Sequence, residues 1–246
     1  MNQYFNHENG FGVYKPIAID LLRQTIDILN EFNINHYLIS GTLLGYVRHN
    51  DFIPWDDDID LLVDISICDK LEEISNKYDN INILYKHKYD SVKICFKNGI
   101  EINNSWSNNI INNQKNQKKY TWPFIDLFTY ESGPGLHSCG SWVDITINNL
   151  KQRIFHPFSG PCDSCFRLIK SDEIVFFHNT WKKQYFIPKE VDFLGIKCNI
   201  PIDTNHFLTR NYGKDYMTIV ESSSINHKTD IKTNNIIKTS YDNIRR

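Results

Sequence analysis

The stretch GTLLGYVRHNDFIPWDDDID, residues 41–60, ends with Asp56, Asp57, Asp58 and Asp60 among its last five positions. Carboxylates this close repel one another, and apolar residues flank them, so the cluster calls for compensation. The run Ile59-Asp60-Leu61-Leu62-Val63 that follows has the make-up of a buried strand. On a strand, side chains at i and i+2 share a face, with Cα atoms roughly 6.5 Å apart. Asp58 and Asp60 then address one site, Asp56 joins them if the extended backbone starts early, and Asp57 faces away. Another acid, Asp126, stands alone in WPFIDLFTY, residues 122–130, which reads as a second strand of the same kind.

Carboxylates gathered in a partly dry site must take up protons or bind a cation. Magnesium or manganese suits them, because such an ion takes oxygen ligands, keeps waters and shares its shell with substrate phosphates. The other half of such a site lies upstream. Ser40-Gly41-Thr42 stands where a strand ends and a helix begins, so Gly41 lets backbone approach a ligand and the helix start offers N–H groups to a phosphate. A strand, a Gly-Thr turn, a helix and then Asp-x-Asp on the next strand is an arrangement suited to phosphoryl transfer. A solvated acidic loop is the ordinary alternative for an aspartate run, but Pro54-Trp55 and the apolar strand speak against it. A calcium-binding EF-hand loop from Asp56 needs Gly at its sixth position and Glu at its twelfth. Leu61 and Ile67 stand there instead.

The elements that must position these acids are legible from spacing. Residues 17–32 place Ala18, Leu21, Leu22, Thr25, Ile28, Leu29 and Phe32 on one helical face, with Pro16 in the first turn. Residues 36–40 read as a strand, 42–49 as a short helix, 59–64 as a strand, 71–78 as a helix and 91–97 as a strand. Residues 103–119 are polar and aperiodic, a loop or insertion. In 131–165 Gly, Pro, Ser and Cys cluster, which predicts irregular structure. Beyond Met217 the chain turns polar, as in a loosely held tail. The expected fold is α+β: a small mixed β-sheet flanked by helices, with an irregular, loop-rich C-terminal half. One domain is expected over 1–217, its core acids within 36–130 and an elaboration over 131–217, followed by a polar tail over 218–246.

A chain of 246 residues, 41% hydrophobic, has ample material for a core, and a net charge of −2 argues against general nucleic-acid binding. Neither a basic-then-apolar leader nor a membrane-length apolar run is visible, which predicts a cytoplasmic protein with reduced cysteines.

ISGTLLGYVRHNDFIPWDDDIDL, residues 39–61, resembles the signature of the LicD family, with WPFIDLF as its second acidic strand and IPIDTNHFLTRNYGKDYM as its ending. The resemblance runs from about Leu21 to Met217. It implies a nucleotidyltransferase-like fold and a divalent metal. The implied activity is transfer of a phospho-alcohol, such as phosphocholine or ribitol phosphate, from a CDP-linked donor to a glycan hydroxyl, releasing CMP. Carried over by position, Asp58 and Asp60 match the metal-binding pair. Asp126 matches the third acid, as ligand or as base for the acceptor hydroxyl, and Asp56 completes the row. Gly41 and Thr42 match the donor-phosphate turn. Tyr46 stands where a small residue is common, and Asn50-Asp51 replaces a glycine-containing pair.

Several other residues invite a role. Arg48 either clamps a phosphate or pairs with an aspartate to fix the loop. His49 reads as a structural hydrogen-bonder and Trp55 as a packed anchor. Cys162 and Cys165, with Cys139, His137 and His156 near in sequence, are candidate ligands of a structural zinc, although plain thiols are the simpler expectation. Lys115, Lys118 and Lys119 either draw anions in or merely solubilise. Tyr212-Gly213 either supports the floor of the site or ends a helix. Three competitors to a phospho-alcohol transferase remain: a true nucleotidyltransferase using the same acids, a non-catalytic glycan- or nucleotide-binding relative, and a zinc-stabilised interaction module.

Overall fold

The computed structural model describes residues 10–87, 90–102, 118–138, 140–147, 150–157, 166–176 and 179–219. In chain order, helix α1 (Lys15–Glu31) is followed by β1 (His36–Leu38), α2 (Ser40–His49), β2 (Ile59–Asp64), α3 (Leu71–Lys77), β3 (Ile81–His87), β4 (Asp90–Glu101) and β5 (Thr121–Ser132). Six further strands come next: β6 (Gly135–Ser138), β7 (Gly140–Ile147), β8 (Leu150–Pro157), β9 (Phe166–Ile169), β10 (Glu173–Phe176) and β11 (Asn179–Lys182). A hairpin of β12 (Pro188–Phe193) and β13 (Ile196–Pro201) leads to α4 (Thr204–Tyr212).

Two compact units result, one of residues 1–129 and 185–246, the other of 130–184. In the first, β2 lies between β1 and β5, and the sheet continues through β4 to β3. β1 runs antiparallel to β2, β3 to β4, and β4 to β5. Helix α1 buries Ala18, Leu21, Leu22, Thr25, Ile28 and Leu29 as its spacing predicts, while Phe32 becomes the half-buried residue that ends it. The result is the α+β class expected, a mixed sheet flanked by helices. Ile81–His87, unassigned from sequence, forms β3, and β4 outruns its expected 91–97 span.

The second unit corrects the expectation of irregular structure over 131–165. There β7 and β8 form an antiparallel ladder, β6 pairs with β9, and β10 pairs with β11 and with the end of β5. Gly, Pro, Ser and Cys dominate the ends of this region. Between them, Trp142-Val143 and Ile145-Thr146-Ile147 form a β-branched and aromatic run that favours pairing. The Asn/Lys-rich segment over 103–117 and the tail beyond 219 lie outside the described residues.

His36 on β1 is 3% exposed, and its Nδ1 lies 3.1 Å from the Ile34 carbonyl oxygen. Burial holds its imidazole below the usual histidine range, against the opposing pull of that hydrogen bond. The unfolded chain then takes up a proton near pH 6.5 while the folded chain does not. This contribution is whole above the unfolded value and is lost as pH falls below it, at up to about 1.4 kcal/mol per pH unit. Urea unfolding at about pH 7.5 and about pH 5.5 is expected to show a larger drop in wild type than in His36→Phe. Equal drops refute the assignment.

Candidate functional site

Asp58 stands one residue before β2, Asp60 is its second residue, and Asp126 lies midway along the neighbouring β5. One carboxylate oxygen from each lies within 4.8 Å of the others, and all three residues are half-buried. An all-oxygen donor set of three carboxylates on a rigid sheet fits a divalent cation. The electrostatics agree. Desolvation, then the charges of Asp58, Asp126 and Asp56, push the Asp60 carboxyl well above the usual range, with Lys93 pulling the other way. Asp56 is pushed up by burial, then by the charge and hydrogen bond of Asp58 and the charge of Asp57. Such a cluster holds protons unless a cation neutralises it.

Helix α2 supplies the wall upstream of the acids. Its first residue, Ser40, has φ +47, a costly left-handed conformation for a side-chain-bearing residue. Gly41 comes next. A Cβ there would fall 2.4 Å from Asp56 Oδ2, so glycine is what lets the helix start lie against that carboxylate. Thr42, expected at the donor phosphate, is buried, and its Oγ1 accepts the Asp60 amide at 2.8 Å. It thereby ties the first turn of α2 to the acid-bearing strand.

Asp57 is 1% exposed and is not among the three converging acids. Its carbonyl accepts the Trp122 indole N–H at 2.7 Å, which secures the acidic loop to β5. Phe11 stacks on Trp122 at 6.0 Å and Tyr14 meets it edge-on at 5.2 Å. A Cβ on Gly10 would fall 2.1 Å from the Pro54 carbonyl oxygen. The segment before α1 therefore packs directly against the stretch that leads into the acids.

Arg48 donates to His49 Nε2 at 3.0 Å and to the Tyr216 carbonyl at 3.1 Å, and its guanidinium lies 5.9 Å from the Trp55 ring centroid. His49 meets Trp55 edge-on at 6.0 Å. Asp56 acts on Arg48 through its charge. Tyr46 packs edge-to-face on Phe193 of β12 at 5.9 Å, which is where its extra bulk goes. Gly213, at φ +87, ends α4 with its N–H on the Thr209 carbonyl. Tyr212 just before it has its phenol pushed up by desolvation and by the charges of Asp60, Asp56 and Asp58, which places it within electrostatic reach of the acids. Lys119 pairs with Glu101 at 3.0 Å and Lys118 donates to Ser75 Oγ.

Cys139, Cys162 and Cys165 lie outside the described residues, as does Lys115, and His137 and His156 are described only as backbone in β6 and β8.

One charged residue was not anticipated. Lys93 on β4 is the register partner of Asp126, and its ammonium pairs with Asp126 Oδ1. A lone lysine in the apolar run Val92-Lys93-Ile94-Cys95-Phe96 was the available signal, a mirror of the lone acid in β5.

Acids on adjacent strands of a mixed sheet, with the start of a short helix against them, are the arrangement expected of a nucleotidyltransferase-like domain. The family model for the LicD/FKTN/FKRP nucleotidyltransferase domain matches residues 33–160. The chain belongs to the LicD family. It is 38% identical over 63 residues to human ribitol 5-phosphate transferase FKRP, covering 23% of this chain and 13% of that protein. It is 40% identical over 45 residues to the lipopolysaccharide cholinephosphotransferase LicD of Haemophilus influenzae, covering 18% and 17%. To mouse ribitol-5-phosphate transferase FKTN it is 24% identical over 214 residues, covering 83% and 34%. The matches thus span 13% to 34% of the lengths of these relatives. Among the described residues, no helix is long and apolar enough to cross a membrane.

Proposed function

We propose that this domain transfers a phospho-alcohol, of the phosphocholine or ribitol phosphate type, from a CDP-linked donor to a glycan hydroxyl and releases CMP, with Mg2+ or Mn2+ as cofactor. The convergence of Asp58, Asp60 and Asp126 carries this assignment. It is supported by relatives named as ribitol phosphate and cholinephosphate transferases.

Asp58, Asp60 and Asp126 would hold the cation. When bound, it polarises phosphate oxygens of the donor and offsets the charge that builds up on the leaving CMP. The N–H groups at the Gly41-Thr42 turn and the Arg48 guanidinium bind and orient the donor phosphates. The acceptor oxygen bonds to the phosphorus that carries the alcohol as the anhydride bond to CMP breaks. Asp126, paired with the Lys93 ammonium, serves as a ligand of the cation or takes the proton of the acceptor hydroxyl. Asp56 is outside the converging three, and its hydrogen bond to Asp58 holds that carboxylate in place.

The test is a panel of CDP-linked alcohols with Mg2+ and candidate glycans, read for CMP and for the phospho-alcohol adduct. CMP and adduct from at least one donor are expected. Pyrophosphate with a nucleotide adduct, from nucleoside triphosphates, would make the protein a nucleotidyltransferase instead. CMP from none of the donors overturns the assignment.

A further inference from the structure

We infer that Lys93 is a fixed counter-charge that occupies one side of Asp126 and limits the acidic site to a single divalent cation; this rests on the assignment of the site to a divalent cation. Lys93 and Asp126 are directly opposed on adjacent antiparallel strands, so their side chains leave the same face of the sheet. Both are covered, with side-chain exposures of 10% and 17%. The ammonium lies 4.2 Å from the Phe124 ring centroid and 5.6 Å from that of Tyr120. Held by a carboxylate and two ring faces, it has little freedom to swing out to water.

Many buried lysine–aspartate pairs only help to specify the fold. This one differs in place, because its acid is also one of the three whose oxygens converge. Three carboxylates carry three negative charges. One divalent cation offsets two of them, and the Lys93 ammonium offsets the third. A second cation would meet three converging carboxylates already offset and an Asp126 oxygen already engaged. The lysine thus does the electrostatic work that a second metal does in a two-metal phosphoryl-transfer site, at the end of the cluster where it is anchored.

The test is a Mn2+ titration of the full chain without donor, following the free-ion signal by electron paramagnetic resonance, with Asp60→Asn as the background. Wild type is expected to bind one Mn2+ per chain above that background, and Lys93→Arg, which keeps the charge, also one. Lys93→Met keeps the length and loses the charge. It is expected to bind its first Mn2+ about tenfold tighter or more, or to take up a second ion. If near-ultraviolet circular dichroism shows that the Met variant is not folded, Lys93→Gln is read in its place. Two ions in wild type, or a neutral variant that matches wild type in both number and affinity, overturn this inference alone. A neutral variant that is folded yet binds more weakly overturns it as well. No Mn2+ binding by wild type overturns the metal site itself, and the inference with it.

Discussion

Asp60→Asn is expected to slow CMP release by about a thousandfold or more while leaving the fold intact, because it removes a central ligand of a charge-stabilising site. The substitution barely changes shape, and the Asp60 amide keeps its hydrogen bond to Thr42 Oγ1. The side chain itself is different. In wild type without a cation, desolvation and three neighbouring acids drive this carboxyl toward its protonated form. Asparagine copies that neutral form, so the variant should melt no lower than wild type in chelator, and higher if the repulsion is costly. Loss of activity with a preserved or raised melting temperature marks a group that serves the site at the expense of stability. A variant that releases CMP as fast as wild type removes Asp60 from the mechanism. One that melts several degrees lower assigns it to the core.

Gly45→Ala is expected to destabilise the protein by about 2 kcal/mol, the opposite of what helix propensity alone predicts. In an exposed helix the exchange gains about 1 kcal/mol. Here α2 ends at Asn50 in the left-handed conformation, and the chain folds straight back over Gly45. A Cβ at Gly45 would lie 2.6 Å from the Asp51 carbonyl oxygen and 3.0 Å from the Ile53 amide nitrogen. Those are backbone atoms, and the turn is stiffened by the Lys15–Asp51 ion pair and by the Phe52 amide on Asp51 Oδ1 at 2.7 Å. Forcing them apart costs about 3 kcal/mol, which outweighs the propensity gain. Urea unfolding of the two proteins decides the sign. An alanine variant as stable as wild type means that the turn yields freely.

These cases show which parts of the molecule were readable in advance. Asp60 and Asp126 could be placed because each interrupts an apolar run, and Asp58 because it stands two residues before Asp60, so the face each takes follows from local spacing. Helix α1 yielded to its own period in the same way. Lys93 did not, although its type was visible. Its meaning depends on the register between β4 and β5, which a tract of polar residues separates in sequence and which only tertiary pairing sets. The same holds for Thr42, whose hydroxyl serves the Asp60 amide eighteen positions away. The ladders within 130–184 were hidden for a compositional reason. Turn-forming residues crowd their ends and mask the short alternating runs between.

The contact of Phe11 and Tyr14 with Trp122 has a consequence for how the domain is delimited. The match to the family model begins at residue 33, yet the aromatic prop behind the aspartate loop is supplied from ahead of that point. A chain shortened to the matched stretch would keep every acid and lose the brace that stops their loop from drifting. The chain ahead of residue 33 therefore belongs to the support of the acidic loop as much as the strands that carry the acids.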